Sequence, residues 1–442
     1  MSLNLSQSTQ FKIKDLTLIT KLGSVNITGI YQEINIYDSM FMPCVRGDIL
    51  IQDAIGLSNK LLFDGSEYLS MEILKGEESG PTTFKKTFRI YKQSERENVN
   101  QNSELYILYF ASDELIYSEQ QKLTQPFTGT YSDIVSVVLK KYLDVSSNKI
   151  KQIEQTKGVH EVIIPGLTPF DTMDWLTKKA INSESLPNFL FFENKYGYNF
   201  VSLSTLIQTP PIMNVNFEPK NLADSGGQEF YGAREAKVVS STDLIENIKN
   251  GVYAGKFIGI DPLTRKVSIN RIDFQQTYGK TEAHLNKYPN FTGAVNRQGK
   301  DSAQMFDSKV SLYAFQSFRG ATPWVKTNDP KTGTIIDDTH AYVFQRAPIF
   351  ANLLQSTIHL NLPGNFGLTS GTIINLSMPV KSTKPDAGEA LDETLSGKYI
   401  VTATRQMIKG DMHETIIEVA TDSTNRPFFK KLTGELLTAT LM

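Results

Sequence analysis

Cysteine is almost absent: Cys44 is the only one in 442 residues. An intramolecular disulfide is therefore excluded, and so is a zinc site built on cysteines. Long apolar runs are missing too, and no stretch has the length that crosses a bilayer as a helix. The opening MSLNLSQSTQFKIKDL has neither a basic start nor an apolar core, so a secretory signal is not expected. There is no basic excess: 45 Lys and Arg stand against 47 Asp and Glu, a formal net charge of −2. A protein whose main task is to grip nucleic acid ordinarily carries a clear positive balance. The expectation is a chain made in the cytoplasm that does not insert into a membrane.

Catalytic signatures are missing as well. The sequence has no P-loop, no G-x-G-x-x-G and no G-x-S-x-G. His160, His284, His340, His359 and His413 are scattered, and none has a second His or Asp at ligand spacing on one element. His160-Glu161 and His413-Glu414 are adjacent pairs, which on a strand point to opposite faces. His359 falls on the polar face of its strand. Cys44, in MPCVRGD, reads as a small buried apolar residue and not as a nucleophile. Asp337-Asp338 and Glu389 to Glu393 lie in polar, looplike stretches and read as solvated charges. A pair of carboxylates on facing walls of a cleft, as a glycosidase needs, is not recognisable. No catalytic, cofactor-binding or metal-ligating residue is therefore expected, and no cofactor.

What is there is a chain able to build cores. Hydrophobic residues make up 40% and charged residues 21%, and the length suits about three or four domains. Residues 11–117 read as strands. Leu69, Met71 and Ile73 alternate with Ser70 and Glu72, and Gly29 and Gly47 punctuate ITGIYQEINIY and GDILIQD. The polar stretch SERENVNQNSE between FRIY and LYILYF reads as an exposed loop. Short strands with frequent turns point to an antiparallel sandwich or barrel.

The pattern changes after Pro126. In TYSDIVSVVLKKYL the residues Ile134, Val135, Val138, Leu139 and Tyr142 share a helical face. A second helix starts at Thr168, with Thr168 as N-cap, Pro169 in the first position and Asp171 near the positive dipole end. Phe170, Met173 and Leu176 then share a face. In LPNFLFFENKYGYNFVSL, Asn194-Lys195-Tyr196-Gly197 suits a hairpin turn, and the aromatics on both flanks suit a pleated, buried wall. The other reading of those aromatics is a ligand pocket; the core hairpin needs fewer assumptions. Residues 118–212 thus read as a small α+β unit.

Strand signals return at 213–250. VYAGKFIGID and KVSINRIDF pair around Asp261-Pro262. QQTYGKTEAHLNKYPNFTGAVNRQGKDSAQMF is weakly periodic and reads as an irregular, surface-riding insertion. From 356 to 420 alternation is clear: Ile358, Leu360, Leu362; Ile374, Leu376, Met378; Tyr399, Val401, Ala403; Thr415, Ile417, Val419. The fold class is mainly β with an α+β insertion.

Several stretches together resemble the baseplate hub proteins of contractile-tailed bacteriophages, which adapt the tail tube to the central spike. They are YDSMFMPCVRGDILIQDAIGLSNKLLFDGSEYLSMEIL, GLTPFDTMDWLTKKA with FLFFENKYGYNFVSL, IKNGVYAGKFIGIDPLTRK, LNLPGNFGLTSGTIINL and GKYIVTATRQMIKGDMHETIIEV. Each is a common strand or turn feature; their order over most of the chain carries the likeness. The loop at 379–397 is long for its place, and much of 274–340 departs from the pattern.

The resemblance implies two tube-type antiparallel β-barrels, an inserted α+β domain and a further insertion. It divides the chain into a first barrel (1–117), the α+β domain (118–212), a discontinuous second barrel (213–250 and 341–425), an insertion (251–340) and a tail (426–442). It implies a homotrimer forming a pseudo-hexameric ring in the virion's tail baseplate. Its partners would be the central spike and the tail tube or tube-initiator proteins, with the tape measure and baseplate wedge proteins as further candidates. DNA would pass transiently through the lumen. Two other classes stay in view: a muralytic hydrolase and a carbohydrate-binding tail component.

Overall fold

A computed structural model describes residues 11–57, 63–75, 83–100, 103–217, 232–239, 244–249, 251–261, 266–273, 278, 284–290, 310–313, 325–328, 345–380 and 391–426. The protein is mainly β, with most described helices between 114 and 207 and others at Leu244–Lys249 and Arg346–Leu354.

Period-two patterning builds the first group of strands. In Arg46–Asp53 and Tyr68–Leu74 every second side chain is buried. Strands run in the order Gly23–Asn26, Lys12–Thr20, Tyr68–Leu74, Phe84–Asn100, Ser103–Ala111, Arg46–Asp53, Tyr31–Ser39. Leu16 and Leu18 from one end of this series share one core cluster with Ile34 and Ile36 from the other. The sheet therefore wraps around a single interior, as a barrel does. Gly47 is required by packing: a Cβ there would collide with the Asn35 carbonyl and the Phe110 ring.

A second core, which includes Val215, Ile358, Leu360, Leu376, Val401, Ile417 and Val419, fills a closed circuit of strands. Met213–Phe217 pairs with Ile373–Ser377, which pairs with Gly397–Lys409, then Met412–Thr421, then Ser356–Pro363, then Glu235–Val238. Gly232–Ala233 returns the circuit to Met213–Phe217. Between Gly232–Ala233 and Glu235–Val238 the chain itself joins the two ends of the series, with the Arg234 N–H donating to the Asn361 carbonyl at 2.9 Å.

One strand belongs to both assemblies. Gly397–Lys409 pairs with Ile373–Ser377 along its first part and with Tyr31–Ser39 along its second, from Ala403↔Ser39 to Lys409↔Glu33. A bulge between Val401 and Ala403 marks the change. The extra residue reverses the phase of the strand. Tyr399 and Val401 face the second core, Ile408 reaches the first, and Ala403 lies half-exposed on the other side. The uniform alternation expected through Ala403 is thus corrected.

The α+β part assembles as its signals dictate. Thr130 forms a capping box with Asp133 ahead of the helix Tyr131–Val137, which ends as a π-turn at Val138–Tyr142. Thr168 caps Pro169–Thr177 by accepting from the Asp171 N–H. Phe189–Asn194 and Gly197–Ser202 form a hairpin with Asn194 opposite Gly197, and both strands are buried throughout. One face (Phe189, Phe191, Tyr198, Phe200) packs on the helices. The other (Leu190, Phe192, Val201) packs with Leu353 of the helix Arg346–Leu354 and with Ile373 and Ile400 of the second strand circuit. The aromatics are therefore core on both sides. The expected division at 117 falls inside a short helix, Glu114–Glu119.

Two further expectations are corrected. SERENVNQNSE is not a loop; its described residues extend the pair Phe84–Asn100 and Ser103–Ala111 as an exposed ribbon, out to Asn100↔Ser103. Cross-strand pairs such as Arg96–Glu104, at 2.9 Å, hold such a ribbon without an apolar face. The insertion is not simply surface-riding. Beyond the run 275–306 that reads that way, Val325–Asn328 completes a sheet with Val159–Ile163 and Pro126–Gly129. Within that run, the segment 284–290 is docked on the end of the second circuit: Leu285 is buried, and Asn286 Nδ2 donates to the carbonyls of Lys398 and Ser423 at 3.0 and 2.9 Å. Asp337-Asp338, His340, Glu389 and the tail from 427 lie outside the described residues.

Candidate functional site

The residues that could have carried chemistry are dispersed. Cys44 is fully buried, and burial first, then the nearby Glu193 carboxylate, pushes its thiol up to about 12. It packs among Leu139, Phe189 and Tyr198. His160 is stacked on Tyr131 at 3.9 Å, and burial pulls its ring down to about 4. His413 is buried against Phe366 and bonded to Gln406 Oε1 at 2.9 Å. His284 meets Asp422 at 2.8 Å and His359 meets Glu418 at 3.2 Å, two separate pairs. Among the described residues no three His, Cys, Asp or Glu side chains gather as metal ligands.

Glu193, buried in the hairpin, ties the α+β part to the first barrel. It accepts from the Val45 N–H at 2.9 Å, from Ser112 Oγ and from Lys86 Nζ. Removing one member of a buried set like this strands the others, so its role is cohesion.

The surface that stands out is the side of the continuous sheet that faces away from both cores. Register aligns its side chains in rows across the shared strand. One row runs Glu235, Asn361, Ile416, Arg405, Tyr37, Arg46. The next runs Glu414, Met407, Asn35, Asp48, Tyr109, Lys92. Acidic and basic groups both lie along these rows, and several of them are paired. Asn35 Nδ2 donates to Glu33 Oε1 at 3.0 Å and to Asp48 Oδ2 at 2.9 Å, while Asn35 Oδ1 accepts from Arg405 Nε at 2.9 Å. Lys409 and Arg405 reach Glu33 at 3.2 and 3.4 Å, and Arg234 reaches Glu414 at 2.9 Å. Burial alone would raise the Glu33 carboxyl, but the Asn35 amide and the two cations hold it below its ordinary range. Burial, with the Asp48 charge beside it, raises the Tyr37 phenol to about 12.

Such a face is polar and wettable, and Arg405, Lys409 and Arg234 on it are engaged by carboxylates, while Lys92 lies over the Tyr109 ring. The sequence shows the outward alternation of Glu33, Asn35 and Tyr37. It gives no sign that Arg405, 370 residues from Asn35, lies across from them.

No protein-family model and no curated protein sequence matches the chain. Solved structures do match. The chain is similar to the tail protein from Neisseria meningitidis MC58, with 10% identity and a TM-score of 0.52 over 93% of this chain and 97% of that one. It is similar to the 43 kDa tail protein of prophage MuSo2 from Shewanella oneidensis, with 9% identity and a TM-score of 0.53 over 93% and 99%. At such identities the likeness is one of fold, and the fold is that of phage tail proteins.

Proposed function

We propose that this chain is the hub of a contractile tail baseplate. Three copies form a ring that joins a sixfold tail tube to a threefold central spike, in the virion. The observation that carries this reading is the shared strand Gly397–Lys409, which fuses two strand assemblies into one continuous sheet. A sixfold tube and a threefold spike cannot make identical contacts. Two like barrels per chain supply six near-equivalent surfaces while true symmetry stays threefold. We assign 1–117 to the first barrel, 213–250 with 341–425 to the second, 118–212 to the α+β domain and 251–340 to an insertion.

The charge-compensated face suits the wall of a channel for DNA. Each phosphate contact adds salt-dependent affinity, and a duct that must release a polyanion does best with its cations already paired. The role is structural, not enzymatic, in keeping with a fold shared with tail proteins. The experiment is electron microscopy of the full chain alone and with its spike, together with native mass measurement. Rings of three chains presenting six superposable barrels are expected. Any other copy number, or barrels that do not superpose, counts against the hub.

A further inference from the structure

Leu22 forms the turn between Lys12–Thr20 and Gly23–Asn26 and is 81% exposed. Lys21 beside it is held only at the surface, by Asp64 at 2.6 Å. A pair this exposed contributes little and exchanges partners readily. The first barrel thus projects an apolar knob with a cation next to it.

A matching socket lies elsewhere in the chain. A cavity of about 390 Å³ opens between the 40–43 segment, the helix Pro169–Thr177 and the aromatic hairpin. Phe41, Phe170 and Phe191 wall it, and Phe41 is 47% exposed. Asp171 and Asp174 line one side, the latter in an exposed pair with Lys178. Arg346, which also lines the cavity, is committed: its Nη1 donates to the carbonyls of Thr177, Pro187 and Phe189 at 2.9–3.1 Å. Lys178 and the Arg346 charge offset Asp174, which leaves Asp171, in no ion pair among the described residues, as the rim carboxylate that a cation can meet.

Knob and socket stand at the same end of the sheet. Ile19, Tyr68, Arg89, Ala111, Arg46 and Tyr37 are successive register partners across the strands. The Leu22 turn and the segment carrying Phe41 both leave the sheet just beyond that row. Rotation about a ring axis carries one copy beside the next without changing height along the axis. With strands running along a channel, a knob and a socket at one height meet between neighbours.

We propose that Leu22 of one copy seats in the Phe41–Phe170–Phe191 cavity of the next, with Lys21 passing from Asp64 to Asp171 of that neighbour. The contact is heterologous, the kind that generates a closed ring. It rests on the ring reading given above and names the contact that builds it.

The test uses the full chain carrying Leu22→Cys and Asp171→Cys together, treated with a bis-maleimide; the native Cys44 is buried. Covalent dimers and trimers are expected from the double variant and not from either single one. Leu22→Asp is expected to weaken self-association at least tenfold, and Leu22→Met to preserve it. Threefold rings in images without cross-linking, or rings unaffected by Leu22→Asp, overturn the contact and leave the ring standing. Absence of both rings and cross-links at the highest soluble concentration, with the spike and without it, overturns the contact and the ring together.

Discussion

Arg405 donates from Nε to the side-chain carbonyl of Asn35 at 2.9 Å, across the seam where the second strand circuit meets the first barrel. Asn35 is buried and already donates to Glu33 and Asp48, so the guanidinium completes its bonding. Losing a hydrogen bond to a charged group typically costs about 1.5–3 kcal/mol, and partial exposure of Arg405 favours the low end. Arg405→Ala is expected to lower the urea midpoint accordingly. Asn35→Ala together with Arg405→Ala should cost less than the two single changes summed. Strict additivity would show that the seam is held by its backbone ladder alone.

The hairpin is buried on both faces. Phe200 is fully buried and stacks on Phe189 at 5.0 Å. Phe200→Ala is expected to destabilise by about 3–5 kcal/mol. Thermal unfolding checks it; a variant that melts with the parent would mean the ring is not packed as described.

Acid should weaken the fold through its buried imidazoles. Burial lowers the His160 ring from its ordinary 6.5 to about 4. Between those values the unfolded chain takes up a proton that the folded chain refuses. The stabilisation is fully present above pH 6.5 and is lost as pH falls toward 4, a change of about 3 kcal/mol from this one site. His413, fully buried and also lowered by burial, acts in the same direction. His160→Phe, which keeps the stack on Tyr131, is expected to flatten part of the decline in unfolding free energy between pH 6.5 and 4. An unchanged slope would assign the decline to other groups.

The compensated face should hold DNA weakly. At about 0.15 M salt the full chain is expected to leave duplex mobility unchanged, while Glu33→Lys with Asp48→Lys and Glu418→Lys should retard it, with an affinity that falls steeply as salt rises. Retardation by the parent chain would mean that the cations on this face are freer than their ion pairs indicate.

Patterning made much of the architecture readable. Alternation at Leu69, Met71 and Ile73, and at Ile358, Leu360 and Leu362, located buried strand faces, because a half-buried strand imposes period two. Thr168-Pro169 located a helix start, because the cap geometry is local. Elements whose structure depends on distant partners were opaque. The bulge after Val401 follows from the switch of neighbours from Ile373–Ser377 to Tyr31–Ser39, which no local signal announces. The ribbon at 94–100 has no apolar face to reveal it. Asn286 docks through amide bonds to residues more than a hundred positions away, and polar sequence of that kind reads as loop. The polar face was half visible: its outward residues follow from alternation, but its pairings follow from the register of the shared strand.

The shared strand also dictates an order of events during synthesis. Tyr31–Ser39 is made well before the strand that covers its outer edge, which begins at Gly397. While the intervening residues are synthesised that edge has no such cover, a template for any passing β-strand. Its closure waits for a contact of very long sequence separation, which is intrinsically slow to form. A chain that lacks Gly397–Lys409 therefore carries an unpaired flank along Tyr31–Ser39, open to any strand that can take its place.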